Sequence, residues 1–258
     1  MDGRFFELDA NVASLREREP RVPRALVDEF HRKLDVSWIY HDMALEGVVL
    51  QYSEIKAAID KNIISDVSLI PSYQEVKLFK EAMEWSRDFA VSDKNKKKPI
   101  GGDTIRKLYS ILAPEEVAKG IPFRKDNPLH RLYYHEIAQP AQIQPRMKKL
   151  EDWFLEESTK RMHVVDRAAR AHFKLMSVYP WTKHTGRVAR LLSNIILERE
   201  GYPLAIVHSI DRQRYYEVLR VEHAGIVPLY VETVATSIET TLKFYDEALA
   251  TVAKKRAS

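Results

Sequence analysis

The run Val178-Tyr179-Pro180-Trp181-Thr182-Lys183-His184-Thr185-Gly186-Arg187-Val188-Ala189-Arg190-Leu191-Leu192 changes character twice within fifteen residues. Helical periodicity ends near Val178, a proline-containing loop follows, and a strongly apolar helix opens near Gly186. The first turn of a helix presents N–H groups that have no partner within the helix, and it carries the positive end of the dipole, so such a start can seat an anion. Glycine at 186 lets a ligand approach the backbone closely. Arg187 and Arg190 are three apart and share a face. From spacing alone the pair has two readings: a guanidinium clamp for phosphate oxygens, or two solvated surface charges.

Outward from this run the periodicity is helical almost everywhere, and the expected fold class is all-α. Val188, Leu191, Leu192, Ile195 and Ile196 form a broad buried face, ended by Gly201 with Pro203 beyond. Met162 to Val178 reads as the preceding helix. Ser72-Tyr73-Gln74-Glu75 has the form of a capping box ahead of the stripe Val76, Phe79, Met83 and Phe89. A helix from about Asp103 carries Ile105, Leu108 and Leu112 up to Pro114. Ile143, Met147, Leu150 and Phe154 mark another, and Tyr230 to Val252 the last. Pro122 to Gln142 holds Pro122, Pro128 and Pro140, which exclude a regular helix and suggest a short β-hairpin.

Composition narrows the function classes. Apolar residues are 45% and charged residues 30% of the chain, as in ordinary globular proteins. There is no cysteine, which excludes disulfides, thiolate metal sites and a cysteine nucleophile, and fits a reducing compartment. No signal-type segment and no membrane-spanning run is legible, so the expectation is a cytoplasmic protein without a membrane partner. The formal charge of +4 suits phosphate ligands. Lys94-Asn95-Lys96-Lys97-Lys98 lacks accompanying aromatics or a second basic cluster. It reads as a solvated loop rather than a nucleic-acid site.

The quoted run resembles the Fic signature, His-Pro-Phe-x-(Asp/Glu)-Gly-Asn-Gly-Arg-x-x-Arg. Asn194, Leu197, Gly201-Tyr202-Pro203 and Tyr215-Tyr216 downstream, and His172-Phe173 upstream, look like the rest of that pattern. The resemblance implies a Fido-type helical bundle with a β-hairpin flap over residues 122–142; within it Arg124, Arg131 and His135 read as exposed charges, with contact to a ligand as the alternative. It also implies three regions: an N-terminal helical region (1–98), a Fic core with motif loop 179–190 (99–225), and a C-terminal helix packed on the core (226–258). Members bind ATP and transfer AMP to hydroxyls of target proteins. The motif histidine serves as base, and the acidic residue holds magnesium.

Carried over by position, Pro180, Gly186, Arg187 and Arg190 agree, and Trp181 replaces the phenylalanine. Tyr179 stands at the histidine, and a neutral phenol is a poor base near pH 7. Lys183 stands at the acidic position, where it would repel magnesium but can itself meet a phosphate. His184 and Thr185 replace the first glycine and the asparagine. His184 would narrow the cradle or supply a displaced base, and Thr185 would offer a hydroxyl. The expected nucleotide-binding set is therefore Lys183, His184, Thr185, Gly186, Arg187 and Arg190. The ligand would be ATP or another nucleotide, magnesium is disfavoured, and no protein metal site is expected.

Ser37 to Gly47 is similar to the inhibitory helix of Fic proteins, (Ser/Thr)-x-x-x-Glu-(Gly/Asn), with Asp42 in place of the hydroxyl residue. The resemblance pairs Glu46 with Arg190; the plain alternative is a helix end followed by glycine. Two functions stay open at this point. One is a nucleotide-binding Fic protein inactive or strongly altered in AMP transfer, and the other an atypical transferase using a different base or donor. The target protein is not legible, and a homodimer is compatible with either.

Overall fold

Thr185–Arg199 is a helix whose side chains from Thr185 through Leu197 are all buried. A helix that is covered on every side has to lie at the centre of its domain, and the rest of the molecule is arranged around it. The computed structural model describes residues 2–59, 70–128, 135–221 and 223–257. In chain order the helices are α1 (Asp2–Arg18), α2 (Arg24–Leu45), α3 (Tyr52–Ile59), α4 (Ile70–Val91), α5 (Gly102–Leu112) and the short α6 (Pro114–Val117). Then follow α7 (Pro140–Leu155), the short α8 (Glu157–Lys160), α9 (Val164–Val178), α10 (Thr185–Arg199), α11 (Arg212–Arg220) and α12 (His223–Ala257).

The central α10 packs on α9, α4 and α5, while α12 lies across α9, α1 and α11. One apolar core joins residues as distant as Leu8, Ile39, Phe79, Leu108, Leu191 and Ile238. Polar ties fix the packing. Ser193 Oγ meets the Tyr230 hydroxyl at 2.8 Å, joining α10 to α12. Asn194 receives the Ala205 amide at 2.8 Å and donates to its carbonyl at 3.2 Å, pinning the chain beyond Gly201. Gly201, at φ +73°, ends the region of α10 as expected. The α5 stripe is in place, with Ile105, Leu108 and Leu112 buried. In α7 it is Trp153 rather than Phe154 that completes the buried face of Ile143, Met147 and Leu150.

Two expectations are corrected. Ser72 lies inside α4, which runs from Ile70, so Ser72-Tyr73-Gln74-Glu75 does not cap it. The β-hairpin flap is not seen: among the described residues there is no strand. Residues 122–128 and 135–139 are irregular, Pro140 opens α7, and residues 129–134, with Arg131, lie outside the described residues. The reason is where the two arms find their partners. The Arg124 amide donates to Pro180 O at 3.0 Å and the Ala138 amide to Ser177 O at 2.9 Å. Each arm is thus bonded to the end of α9 and the loop after it, where a hairpin would have bonded the arms to each other. No helix among the described residues is long and apolar enough to cross a membrane.

Candidate functional site: two buried arginines at a helix start

The turn between α9 and α10 is built from two left-handed residues. Tyr179 caps α9 at φ 48° and ψ 62°, and His184 precedes α10 at φ 63° and ψ −2°. Non-glycine residues adopt this conformation only where the surroundings hold them. Arg124 supplies part of that hold, donating from Nε to Tyr179 O at 2.7 Å and from Nη2 to Ala138 O. Thr185 supplies the rest, because its hydroxyl donates to Trp181 O at 2.8 Å and accepts from Trp181 N at 3.2 Å. Trp181 stacks on Tyr109 with centroids 3.9 Å apart. The Thr185 hydroxyl, expected to face a phosphate, instead closes the loop on itself.

Lys183 is exposed beside a groove of about 400 Å³ that Glu115, Lys125 and His184 also line. Tyr179 is 1% exposed, with its ring in edge contact with His135. Arg124 and His135, expected as exposed charges, are buried. Arg124 bonds backbone carbonyls and the Asn127 side chain, and His135 Nε2 meets Met176 O at 3.0 Å. The His184 Nδ1 atom lies 3.1 Å from Arg187 Nη1. A guanidinium only donates, so Nδ1 is the acceptor and the ring proton sits on Nε2. Burial, with the positive charge of Arg187, lowers the His184 pKa and keeps the ring neutral.

Arg187 and Arg190 are each 2% exposed, so the surface-charge reading falls. A buried charge needs a counter-charge, and three carboxylates supply it. Asp42 accepts from Arg187 Nε at 3.1 Å on one oxygen and from Arg190 Nε at 2.7 Å on the other. Glu46 accepts from Arg190 Nη2 at 2.8 Å, and Glu75 from Arg187 Nη2 at 2.9 Å. Burial by itself would weaken Arg190 as a cation. Asp42, Tyr215 and Glu46 together outweigh that and hold its pKa well above the usual arginine value. Arg190 also reaches the hydroxyl of Tyr215, which is bonded to His172 Nε2 at 2.9 Å.

Glu46 reaches the site through the end of α2. Gly47, at φ +91°, bonds its amide to Ala44 O at 3.0 Å, and Val48 N bonds to Met43 O at 2.9 Å. This is a Schellman ending. The two readings of Glu46-Gly47 are therefore both true, since the glycine stops the helix and the stop presents the glutamate. A Cβ at position 186 would lie 2.7 Å from Glu46 Oε1 and 3.0 Å from Arg190 Nη1. The space over Gly186, expected to admit a ligand, holds the Glu46 carboxylate. The first helical bond of α10 runs from Val188 N to His184 O, so the turn below that carboxylate is the one with unpaired amides.

Sequence reasoning did not assign Asp42 or Glu75 to this site. Asp42 and Glu46 are four apart on α2, so their shared face was legible. Glu75 gave no signal, because it reaches Arg187 from a separate helix.

Residues 99–197 match the Fic/DOC family. This segment is a Fic-family domain. It is 27% identical over 248 residues to the protein adenylyltransferase Fic of Drosophila willistoni and 28% identical to that of Culex quinquefasciatus. Each alignment covers 94% of this chain and 47% of the relative, so the chain spans about half the length of these curated Fic relatives. Among solved structures, a Fic-domain signalling protein from Bacteroides thetaiotaomicron superposes with a TM-score of 0.75 at 21% identity, covering 95% of this chain and 96% of that one. Fic-1 from C. elegans gives 0.74 at 24% identity over 95% and 73%.

Proposed function

We propose that this Fic protein binds a nucleotide through the α10 start and is inactive, or strongly altered, in AMP transfer to protein hydroxyls. The observation that carries the reading is the state of Tyr179. The phenol occupies the position of the family's base, yet it is 1% exposed and locked at a left-handed helix cap. A general base must come within hydrogen-bond reach of the proton it takes. His184 does not replace it, because its lone-pair nitrogen is engaged by Arg187.

Magnesium does not fit this site. Lys183 stands where the family's acidic ligand would be, and the three nearby carboxylates are paired with guanidiniums. Lys183 can instead offer its ammonium to a phosphate as a point charge. The phosphates would take the place of Glu46 and Asp42 on Arg190 and Arg187, and a target protein would be read without being modified.

The test is transfer from labelled ATP, with and without magnesium, in an Asp42→Ser, Glu46→Gly background. The expected result is nucleotide binding without label transfer. Transfer is expected only after Tyr179→His, Lys183→Asp, His184→Gly and Thr185→Asn are added. Label transfer by the protein with its own Tyr179, abolished in Tyr179→Phe, would favour an atypical transferase and reject the proposal.

A further inference from the structure

We infer that Asp42, rather than Glu46, is the principal lock on the two arginines. The inference rests on reading the α10 start as a nucleotide seat. Asp42 meets both guanidiniums, using one oxygen for each Nε, at 3.1 and 2.7 Å. Glu46 accepts from one terminal nitrogen of Arg190, Nη2, at 2.8 Å. Removing Glu46 leaves both Nε contacts of Asp42 in place.

Burial separates the carboxylates further. The side chain of Asp42 is fully buried, that of Glu46 is 15% exposed and that of Glu75 is 39% exposed. Solvent screens the last two, whereas attraction inside the protein is screened least. Mobility points the same way. Asp42 lies within α2, flanked by the buried Ile39, Met43 and Leu45, and its side chain is the shorter by one methylene. Glu46 is the cap residue after the last helical turn. A glutamate there can swing away on its own stem. Asp42 leaves the arginines only if the end of α2 moves.

Opening the seat thus means shifting α2, and the entering ligand must offer an anionic oxygen to each Nε position, as the two oxygens of Asp42 do. A polyphosphate chain carries such oxygens.

Two measurements test this. The first needs no nucleotide: hydrogen exchange at the Nε–H groups of Arg187 and Arg190, followed by NMR. Both should stay protected in Glu46→Gly and lose protection in Asp42→Ser. Should Asp42→Ser fail to fold, Asp42→Asn keeps the volume, and protection should fall at one Nε or both. Wild-type protection of both groups in the Asp42 variant would overturn the inference, whatever happens with ATP. The second is ATP affinity. Glu46→Gly should tighten it by less than about twofold and the double Asp42→Ser, Glu46→Gly variant by about tenfold or more. Glu46→Gly alone reaching the affinity of the double variant would also overturn the inference. A folded double variant with exposed Nε–H groups and no ATP binding would reject the nucleotide seat while leaving the lock in place.

Discussion

The motif loop has two ends with opposite electrostatics. At the α10 end, Arg187 and Arg190 are buried and held by Asp42, Glu46 and Glu75. At the other end, Lys183 stands in solvent beside an open groove. Both ends carry positive charge of the sort that meets phosphates, but only one is desolvated. The comparison teaches that burial, more than charge, decides how much a side chain matters to the fold. A cation in the core must be compensated by the protein when no ligand is there.

The largest effect should come from breaking the buried end. Arg190→Met takes one guanidinium away from Asp42 and Glu46, leaving Asp42 to Arg187 alone, and one-sided loss of a buried pair costs roughly 3–5 kcal/mol. A fall of about 10 °C in the unfolding midpoint is the expected outcome; a change within a degree or two would mean that these charges are far better solvated than their burial indicates.

Next is the tie between the two ends. Thr185→Val removes the hydroxyl that closes the loop on Trp181 and leaves the Trp181 amide and carbonyl unpaired. Denaturant unfolding should register a loss of about 1–3 kcal/mol. Limited proteolysis should then cut at the Thr182–Lys183 side before the α10 side.

A smaller effect concerns pH. His172 lies behind Arg190, and burial, aided by the charge of Arg190, drives its pKa well below 6.5. The unfolded chain then takes up a proton near pH 6.5 that the folded chain refuses. Stability from this group is complete above pH 6.5 and declines as pH falls, by at most about 1.4 kcal/mol per unit. Glu198 works in the opposite direction. Its pKa is raised to about 7 by burial, against the opposing pull of Arg87, so the folded state holds a proton that the unfolded state releases. Comparing wild type with His172→Phe between pH 7 and pH 5 isolates the histidine, and the variant should lose stability less steeply. Equal slopes would show that His172 is charged in the folded protein.

The smallest stability effect belongs to the exposed end. Lys183→Ala should change the unfolding free energy by less than about 0.5 kcal/mol. In the Asp42→Ser, Glu46→Gly background it should still weaken ATP binding by several fold. A stability loss comparable to that of Thr185→Val would erase the contrast between the two ends.

Much of the architecture was open to a reader of the sequence. The α5 and α10 faces follow from apolar spacing, and Gly201 marks a helix end because a left-handed residue is needed there. The hairpin and the cap at Ser72 were misread for one reason, since both inferences were local. The prolines go with the irregular backbone of residues 122–128 and 135–139, yet they do not say whether the arms pair with each other or with the α9 end. A serine followed by glutamate three residues later describes a cap only if the helix begins there, and α4 begins earlier.

The sequence by itself determined the helix faces and the positions of Gly186, Arg187 and Arg190. These depend on residue identity and short spacing, which need no partner to be read. Only the tertiary structure decided that the arginines are buried, that Asp42 bridges them, and that Glu75 arrives from α4. Electrostatic partners come together across more than a hundred residues of chain, and no periodicity encodes which carboxylate will stand opposite which guanidinium.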